Sequence, residues 1–485
     1  MKKRTKILAT IGPASDSLEQ IESLIRTGVN VFRLNFSHGT HDYHEMVLKR
    51  IHKAMESTGY IVGVLQDISG PKIRIGEIQK QFNLQEGNEI FFRRESIIGK
   101  QISQYSYEVS INYPQILDQL LIGEYIYLYD GVIRTKVVES NSQGVKVVVE
   151  NSGILSSKKG VNFPNTRLGV DIITPKDKDD IRWGVEHKVD YMAISFVQSA
   201  EDMIQARKIV DAYGGEQMLI AKIEKFDAIE NIDAIIEVSD GLMVARGDLG
   251  IEVPFYEVPN IQKMLIHKAN AAAIPVITAT QMLLSMTTSE RATRAEISDI
   301  ANAVLDGTDA VMLSEESAVG EHPVLAVLTM FQTIVEIEKH YSFHKYREFE
   351  RHDTTDAIDE SAVRLCNDLN AQGILSLTSS GSSARKIARY RPKSPVYAIT
   401  HDDAVRRQLT LSWGVVPVFS VNENSLGMIL KEVMQRGLDE NILNLEKSYI
   451  LTAGDPTGTE GSTNMIRLLR SHEMEFFRTL QEHIV

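Results

Sequence analysis

Short apolar segments alternate along this chain with longer segments whose apolar positions recur every three or four residues. Such alternation is typical of repeated βα units, in which helices connect parallel strands. Eight predicted strands precede residue 345, and they span 6–11, 29–35, 61–67, 190–196, 218–223, 241–245, 275–278 and 309–313. Eight such units predict a closed (β/α)8 TIM barrel, whose chemistry is carried by the loops that follow the strands.

The regular spacing is interrupted once, between the third and fourth strands. A long interval there contains alternating β-rich segments such as 124–129 and 145–149. These segments predict an inserted β-barrel domain. Because the insertion leaves the carboxyl end of a strand, we expect it to cover the active-site face as a lid.

A second alternation follows the charged segment 344–353, which we interpret as a linker or a helix end. Its predicted strands are 373–377, 396–400, 415–419 and 449–452. They predict a C-terminal open α/β domain. The fold class is therefore α/β, and the predicted domains are 1–70 with 171–345 for the barrel, 71–170 for the lid and 346–485 for the C-terminal domain.

Composition narrows the class of function. The 485 residues include 43% hydrophobic and 24% charged side chains, typical of a chain that folds throughout. The formal net charge of −13 argues against a protein that coats nucleic acid or anionic lipid, and no apolar run approaches the ~18 residues of a membrane span. Cys366 is the one cysteine, so no disulfide forms within the chain. This fits a reducing cytoplasm, and a bacterial periplasmic protein without disulfides is the alternative. We therefore expect a cytoplasmic protein that binds neither nucleic acid nor membrane.

Candidate chemistry collects where the fifth and sixth strands end. Lys222 and Glu224 alternate onto one side of the fifth strand, and Asp248 follows the sixth, so the topology brings them to one barrel face. Two carboxylates leave room for water and substrate oxygens around Mg²⁺ or Mn²⁺, as in phosphoryl-transfer sites. The alternative is a structural ion pair between Lys222 and Glu224, with Asp248 capping the next helix.

Two further residues on this face point to an anionic substrate. Gly247 permits a close approach to the N–H groups of Gly247 and Asp248, which suit a carboxylate. The alternative for Gly247 is a tight turn that needs positive φ. Thr280, after the seventh strand, presents a hydroxyl to the same face, and a helix N-cap is the equal alternative.

Basic residues follow the second and third strands. Arg33 lies on the second strand, on the same side as Asn35. Lys72 and Arg74 follow the third strand, which ends at Asp67. Arginine offers bidentate contacts and lysine a point charge, so their shared placement predicts a cradle for phosphate groups. For any single arginine, a surface salt bridge is the alternative. A P-loop and a Rossmann GxGxxG are absent from suitable positions, so a nucleotide would bind by another device.

Three histidines follow the second strand at three-residue spacing, namely His38, His41 and His44. This spacing invites a zinc site. No cysteine accompanies them, however, and we expect the following helix to expose His41 and His44 to water. Zinc binding is therefore disfavoured.

The sequence resembles the pyruvate kinase family over essentially its whole length. The matching segments are 10–15, 30–39, 67–74, 158–162, 222–224, 243–250, 279–282 and 294–304. The resemblance implies a TIM barrel, an inserted β lid and a C-terminal regulatory domain. It also implies a glycolytic homotetramer that transfers the phosphoryl group of phosphoenolpyruvate to ADP, giving pyruvate and ATP.

The resemblance assigns roles residue by residue. It implies that Glu224 and Asp248 hold the metal, while Lys222 neutralises charge on the moving phosphoryl group. By the same resemblance, the N–H groups of Gly247 and Asp248 bind the carboxylate, Arg33 binds the phosphoryl group, and Thr280 lies beside the enolate carbon. The implied nucleotide contacts, with a second Mg²⁺ arriving on ADP and Asp130 near it, are Pro13, Asn35, His38, Tyr43, Arg74 and Lys159.

The sequence departs from common family patterns at two places. Ser314, Glu315 and Glu316 stand where Ser-Gly-Glu is common, and Glu315 adds a carboxylate near the metal face. Lys72 replaces the glutamate of the potassium-dependent branch, near the groups that would surround a monovalent ion, Asn35, Ser37, Asp67 and the carbonyl of Ile68. The lysine ammonium can supply the missing charge, so we expect no potassium requirement.

An effector loop is expected in the C-terminal domain, because the family binds phosphorylated effectors there. Its residues, which precede a helix predicted to begin near Ala384, are Thr378, Ser379, Ser380, Gly381, Ser382 and Ser383. A hydroxyl-rich helix cap without ligand is the alternative. The facing segment 455–461 is acidic, which favours a monophosphate over a bisphosphate.

Two other functions share part of the pattern. A barrel enzyme that handles enolates or 2-oxo acids with Mg²⁺, such as an aldolase, would share the carboxylate pair but would not need Arg74 or a lid lysine. A non-catalytic sensor of phosphorylated metabolites would not need all four of the residues Lys222, Glu224, Asp248 and Thr280.

Overall fold

The computed structural model describes residues 3–164, 166, 167, 169, 171–343, 349, 353–423, 425–454 and 463–481. The chain forms three regions. The second is inserted into the sequence of the first, and the third follows at the C-terminal end. The chain opens with β1 (Lys6–Thr10), α1 (Leu18–Thr27), β2 (Val31–Asn35), α2 (His41–Thr58) and β3 (Gly63–Asp67).

The inserted region is built from short strands. They are β4 (Phe82–Leu84), β5 (Glu89–Arg93), β6 (Lys100–Gln101), β7 (Ser106–Ser110), β8 (Tyr125–Leu128), β9 (Ile133–Asn141), β10 (Gly144–Val149), β11 (Gly153–Leu155) and β12 (Val161–Asn162). Seven of them form a sheet of order β12-β8-β9-β10-β5-β7-β6, and β4 pairs with β11. Both sheets enclose one hydrophobic core, separate from that of the barrel.

The chain then returns to the first region. Its elements are α3 (Pro175–Glu186), β13 (Tyr191–Ile194), α4 (Ala200–Ala212), β14 (Met218–Ile223), α5 (Phe226–Glu230), α6 (Ile232–Glu237), β15 (Gly241–Ala245), α7 (Arg246–Glu252), α8 (Val258–Ala271), β16 (Val276–Ala279), α9 (Arg294–Asp306), β17 (Ala310–Leu313), α10 (Glu315–Ala318) and α11 (Pro323–Glu338). Eight parallel strands close in the order β1-β17-β16-β15-β14-β13-β3-β2. The predicted TIM barrel is confirmed.

Local sequence explains how the chain re-enters the barrel after the insertion. Thr174 caps α3 in a reciprocal capping box with Asp177, and Pro175 occupies the first helical position, where its missing N–H costs nothing. Asp177 Oδ1 also accepts a hydrogen bond from Gly70 N–H at 3.1 Å. This contact ties the end of the insertion to its beginning, which fixes the base of the lid.

The C-terminal region is an open α/β domain, as predicted. It comprises α12 (Thr354–Asp368), β18 (Gly373–Leu377), α13 (Ser382–Arg389), β19 (Val396–Thr400), α14 (Asp403–Gln408), β20 (Val415–Ser420), α15 (Leu426–Asp439), β21 (Tyr449–Ala453), β22 (Met465–Leu469) and α16 (Ser471–Arg478). The sheet order is β20-β19-β18-β21-β22, and β22, which the sequence analysis missed, is an antiparallel edge strand.

The C-terminal domain packs against the amino end of the barrel. Leu411 joins the apolar cluster that fills the barrel interior, and Tyr191 Oη, at the start of β13, donates to the carbonyl of Gln408 at 2.7 Å. The carboxyl ends of the strands therefore remain on the opposite, open side. No helix in the described part of the chain is long and apolar enough to cross a bilayer.

Candidate active site

The Lys222 ammonium lies at the centre of the carboxyl end of the barrel. Its Nζ is 2.8 Å from Glu224 Oε1 and 3.1 Å from Asp67 Oδ1, and it donates to Ser195 Oγ at 2.7 Å. These partners stand at or just beyond the ends of three neighbouring strands, β14, β3 and β13. The structure thus brings Lys222 and Glu224 together as predicted, and adds Asp67 to them.

The cluster keeps Lys222 charged. Burial works to lower the pKa of the Lys222 ammonium, but the carboxylates of Asp67 and Glu224 outweigh burial and raise it. Burial likewise works to raise the pKa of Asp67, but Lys222 and then Arg33 hold it below its usual value. At neutral pH the centre therefore holds a fixed positive charge beside the ionised carboxylate of Asp67.

Asp248 lies at the mouth of the same cleft. Asp248 is exposed, and its carboxylate makes no hydrogen bond or ion pair with a described residue. Desolvation by the cleft, followed by repulsion from Glu224, raises the pKa of Asp248 to about 6. A cation between the two carboxylates would relieve that repulsion.

This donor set fits a hard divalent cation. In the described part of the chain, no group of three or more His, Cys, Asp or Glu side chains is arranged to hold a metal. Glu224 is oriented by the Phe196 N–H, which donates to its Oε2 at 3.0 Å. Glu224 and Asp248 therefore offer two oxygen donors and leave the other positions to water and substrate, as Mg²⁺ and Mn²⁺ require.

Arg33 is held at the barrel mouth by two contacts. Its Nε pairs with Asp67 Oδ2 at 2.7 Å, and its Nη1 donates to Thr10 Oγ1 at 3.0 Å. Its side chain is only 12% exposed. Arg33 is thus a largely buried, oriented cation, and the alternative of a surface salt bridge is wrong for it.

Thr280 and Gly247 contact each other across two strand ends. The Gly247 N–H donates to Thr280 Oγ1 at 2.8 Å, and that hydroxyl donates to the carbonyl of Ala279 at 2.7 Å. Gly247 is the second residue of α7 and does not have positive φ, so the tight-turn alternative is wrong. Thr280 does not cap a helix of its own, because its hydroxyl serves the first turn of α7.

Positive φ occurs instead at Thr280 and Gln281, at 68° and 56°. Such a conformation is strained for a β-branched residue and persists only where neighbours enforce it. Arg246 does so: its Nη2 donates to the Thr280 carbonyl at 2.7 Å, while its Nη1 pairs with Asp299 Oδ1 at 2.7 Å. Sequence reasoning missed this restraint, although Arg246 stands inside the matched segment 243–250.

Three of the four groups predicted around a monovalent ion have protein partners, namely Asn35, Asp67 and the Ile68 carbonyl. Asn35 Oδ1 accepts from the Ser37 N–H at 3.1 Å, and the Ile68 carbonyl accepts from Ser195 Oγ at 2.6 Å. Ser195, which the sequence analysis did not single out, therefore connects this region to Lys222. Its position near the carboxyl end of the predicted strand 190–196 was the available signal.

Lys72 extends into the same mouth. Its residue is exposed, and desolvation, followed by Lys222 and Arg74, lowers the pKa of its ammonium. Asp248 and Asp67 act in the opposite direction. Lys72 therefore lies within electrostatic range of the two carboxylates that a monovalent cation would also face.

The three histidines have separate structural positions. His44 is buried, stacks on Phe36 with ring centroids 4.1 Å apart, and its Nε2 lies 2.9 Å from the His38 carbonyl. The expectation that His44 is exposed is wrong, because Phe36 leaves the end of β2 and covers it. His41 Nε2 lies 2.8 Å from Asp180 Oδ1 and is partly exposed.

The predicted nucleotide contacts lie along one rim. Pro13 and His38 are exposed, and desolvation followed by the cations Lys72, Arg33 and Arg74 lowers the pKa of His38. Tyr43 lies on the same side. Its hydroxyl donates to Asp16 Oδ2 at 3.0 Å, and burial together with Asp16 raises the pKa of Tyr43 to about 12.

The lid contributes the other predicted contacts. Arg74 pairs with Gly160 across the base of the lid, and its Nη1 donates to the Lys158 carbonyl at 2.8 Å. The Lys159 ammonium lies 3.8 Å from the centroid of the Tyr129 ring. Arg74 and Lys159 therefore stand side by side where lid and barrel meet.

One of the two acidic residues after β17, Glu316, has a structural role. Glu316 is buried, and its two oxygens accept from the N–H groups of Leu283 at 3.0 Å and Ser314 at 2.7 Å. Glu315 is exposed on α10. Glu316 thus braces the neighbouring loop, whereas Glu315 makes no ion pair with a described residue.

The helix that follows the predicted effector loop, α13, begins earlier in the sequence than predicted. The helix begins at Ser382, two residues before the predicted start, because Gly381 has φ 82° and turns the chain into it. Ser383 Oγ lies 2.7 Å from Thr463 Oγ1, and the Ser380 carbonyl accepts from Arg385 at 3.1 Å. The acidic segment 455–461 lies outside the described residues.

Comparison with known proteins agrees with this architecture. The family model for the pyruvate kinase barrel domain matches residues 2–327, and that for the pyruvate kinase alpha/beta domain matches 356–469. Pyruvate kinase of Geobacillus stearothermophilus is 41% identical over 476 residues, which cover 96% of this chain and 80% of the relative. Pyruvate kinase 2 of Synechocystis is 41% identical over 473 residues, covering 96% and 79%.

A solved structure is similar as well. The crystal structure of a pyruvate kinase from Cryptosporidium parvum superposes with a TM-score of 0.90 at 33% identity, over 97% of this chain and 96% of that chain. Fold and site together define a TIM-barrel phosphotransferase. The chain belongs to the pyruvate kinase family, and it transfers the phosphoryl group of phosphoenolpyruvate to ADP, giving pyruvate and ATP. This assignment excludes the aldolase and the non-catalytic sensor considered above.

Proposed function

We propose that Lys222, Arg33 and Thr280 act on the substrate, and that Glu224 and Asp248 hold Mg²⁺ or Mn²⁺. The observation that carries this proposal is the Lys222 centre, where one buried ammonium contacts carboxylates from two strands beside the open Asp248. The divalent ion, when bound, neutralises phosphoryl charge and orients substrate oxygens. Lys222 supplies a fixed positive charge where the phosphoryl group moves, and this kind of catalysis rests on positioning and electrostatics.

The Gly247–Thr280 contact suggests how the substrate carboxylate is recognised. The Gly247 N–H donates to the Thr280 hydroxyl at 2.8 Å. A carboxylate that accepts from the N–H groups of Gly247 and Asp248 replaces that hydroxyl as acceptor. Thr280 is then free to face the enolate carbon, where it delivers a proton through a water molecule. Arg33 binds the phosphoryl group.

The nucleotide binds along the rim between barrel and lid. Arg74 and Lys159 contact the phosphates of ADP, and a second Mg²⁺ accompanies them. The adenine and ribose lie against the remaining rim residues, which are Pro13, Asn35, His38 and Tyr43.

Members of the family generally need a divalent cation and usually potassium. For this chain we propose that potassium is not required. One support is Lys72, because its ammonium is close enough to Asp67 and Asp248 for their charges to act on its pKa. The other is that Asn35 Oδ1 and the Ile68 carbonyl already accept hydrogen bonds from protein donors.

Regulation and assembly complete the proposal. The loop 378–383 binds a phosphorylated effector, with a monophosphate preferred, and the protein acts as a cytoplasmic homotetramer. The domains are 1–70 with 171–345, 71–170 and 346–485. Calorimetry against sugar monophosphates, AMP and fructose bisphosphate tests the effector, and tight binding of fructose bisphosphate alone would overturn the preference.

Mn²⁺ binding to the substrate-free protein tests the metal site. Glu224→Gln and Asp248→Asn should each raise the Mn²⁺ dissociation constant about tenfold or more, because each removes a charged oxygen donor. Glu315→Gln is the matched control, since it neutralises an exposed acid after β17, which β16 separates from β15, and it should leave Mn²⁺ affinity unchanged. Equal Mn²⁺ affinity in all four proteins would refute the site.

A further inference from the structure

A buried ion pair lies directly behind the two carboxylates proposed to hold the metal. Lys225 Nζ is 2.6 Å from Glu252 Oε2, and both side chains are 3% exposed. Lys225 immediately follows Glu224, and Glu252 is the last residue of α7, whose first turn contains Asp248. The pair therefore closes a ring between the end of β14 and α7, the two elements that carry the metal-directed carboxylates.

The same pair reaches the lid. Lys225 Nζ donates to the carbonyl of Phe163 at 3.4 Å, and Asn162 Nδ2 donates to Glu252 Oε1 at 3.5 Å. Asn162 is the last residue of β12, the strand by which the lid returns to the barrel. Lys159, proposed to contact the nucleotide, lies three residues earlier. One ion pair thus joins both metal-bearing elements to the lid.

Stability alone does not account for this arrangement. Taking two charges out of water costs about as much as their attraction returns, and apolar side chains of similar volume often stabilise a core equally well. What an ion pair adds is direction, since each of its partners is held at a fixed distance and angle. Groups behind a metal ligand use that property to orient the ligand, and their loss commonly weakens metal binding about 10–100-fold.

We propose that Lys225 and Glu252 are positioning residues that set the separation of Glu224 and Asp248 and hold the returning strand of the lid against the site. The proposal rests on the proposed function of Glu224 and Asp248 as metal ligands. Neither Lys225 nor Glu252 contacts substrate, so their effect reaches the reaction through metal affinity and through the placement of the lid's nucleotide contacts.

The test replaces the pair by apolar side chains of similar length, in the double variant Lys225→Met with Glu252→Met. We expect the full-length variant to fold, with a Mn²⁺ dissociation constant, measured by calorimetry without substrates, raised about tenfold. The KM for ADP should rise in the coupled assay, because Lys159 is no longer held in place. A lowered Tm with unchanged Mn²⁺ affinity and unchanged KM for ADP would show that the pair is only structural and would overturn the proposal.

Two single variants keep the test decisive if the double variant does not fold. Glu252→Gln retains volume and a hydrogen bond but removes the charge, so it should weaken Mn²⁺ binding less than the double variant. Lys225→Arg keeps the charge and should retain most of the affinity. Unchanged Mn²⁺ affinity and KM for ADP in Glu252→Gln would also overturn the proposal.

Two controls separate this proposal from the claims around it. Arg391→Met breaks a buried ion pair at the opposite end of the barrel and should lower the Tm while leaving Mn²⁺ affinity unchanged. Glu224→Gln and Asp248→Asn report on the metal site itself. If they weaken Mn²⁺ binding and the Lys225 and Glu252 variants do not, only the positioning role fails.

Discussion

Both ends of the barrel hold charged side chains, but the two ends differ in whether these side chains are paired with protein groups. At the amino end, Asp309 faces Arg391 of the C-terminal domain, with Nη2 and Oδ2 3.1 Å apart and exposures of 6% and 1%. Asp309 Oδ1 also accepts from the Trp413 N–H at 2.9 Å, and Oδ2 accepts from the Val276 N–H at 3.2 Å. Both oxygens of this carboxylate are fully used within the protein.

At the carboxyl end, some charged side chains have no partner in the described part of the chain. Lys222 is saturated by Asp67, Glu224 and Ser195. The carboxylate of Asp248 and the ammonium of Lys72, in contrast, make no hydrogen bond or ion pair with any described residue. The raised pKa of Asp248, about 6, follows from desolvation and from Glu224. A buried carboxylate whose two oxygens are both paired fixes a domain interface, whereas a cluster with an unpaired carboxylate and an unpaired ammonium is built for a ligand.

The largest effect should come from removing the central cation. Lys222→Met should lower phosphoryl transfer on the order of 10³-fold, because the preorganised charge at the moving phosphoryl group is lost. The protein should still fold, since Arg33 retains Asp67 and the Phe196 N–H retains Glu224. Pyruvate formation is measured with lactate dehydrogenase and circular dichroism checks the fold. Activity within about tenfold of wild type would assign Lys222 a structural role.

The reverse pattern is expected at the amino end. Arg391→Met leaves the buried Asp309 carboxylate without its cation, which costs about 3–5 kcal/mol of stability. The apparent Tm should fall by several degrees, while kcat of the folded protein at 25 °C stays near that of wild type. A variant with wild-type Tm and reduced kcat would contradict the comparison.

A smaller change should make the open end depend on an added ion. Lys72→Glu replaces an ammonium near Asp67 by a carboxylate, so the variant should lose activity without potassium and recover part of it, by roughly an order of magnitude, when potassium is supplied. The measurement compares kcat/KM for phosphoenolpyruvate in tetramethylammonium and potassium buffers of equal ionic strength. A comparable response of wild type to potassium would refute the role of Lys72.

The smallest effect concerns a single hydroxyl at the closed end. Tyr191→Phe removes the bond from Tyr191 Oη to the Gln408 carbonyl and should reduce the free energy of unfolding by about 1 kcal/mol. KM values for both substrates should not change. A shift in either KM would mean that the amino end communicates with the site more directly than its closed hydrogen bonding indicates.

Much of the fold was predictable because βα periodicity is a local signal. Strands 218–223 and 241–245 were predicted with the bounds that the structure has. The edge strand β22 was missed, since its five residues, 465–469, are mostly half-buried and lack a clear alternation. A strand that joins a sheet antiparallel at its edge carries little of the pattern that marks buried parallel strands.

Within the site, strand alternation predicted that Lys222 and Glu224 share a face, and the structure brings them within 2.8 Å. The predicted barrel already implies that β13 lies between β3 and β14, but the contact of Lys222 with Ser195 was not predicted, because strand periodicity does not report side-chain contacts between elements. The restraint of Thr280 by Arg246 and the burial of His44 arise in the same way, from partners on other elements.

The central claim is that the carboxyl end is open for ligands and the amino end is closed, and ligand-induced thermal stabilisation tests it most directly. Mg²⁺ with phosphoenolpyruvate should raise the Tm of wild type and of Arg391→Met by the same increment, because a ligand stabilises the folded state only through its own site. Asp248→Asn should lose most of that increment. An undiminished increment in Asp248→Asn, or its loss in Arg391→Met, would contradict the account.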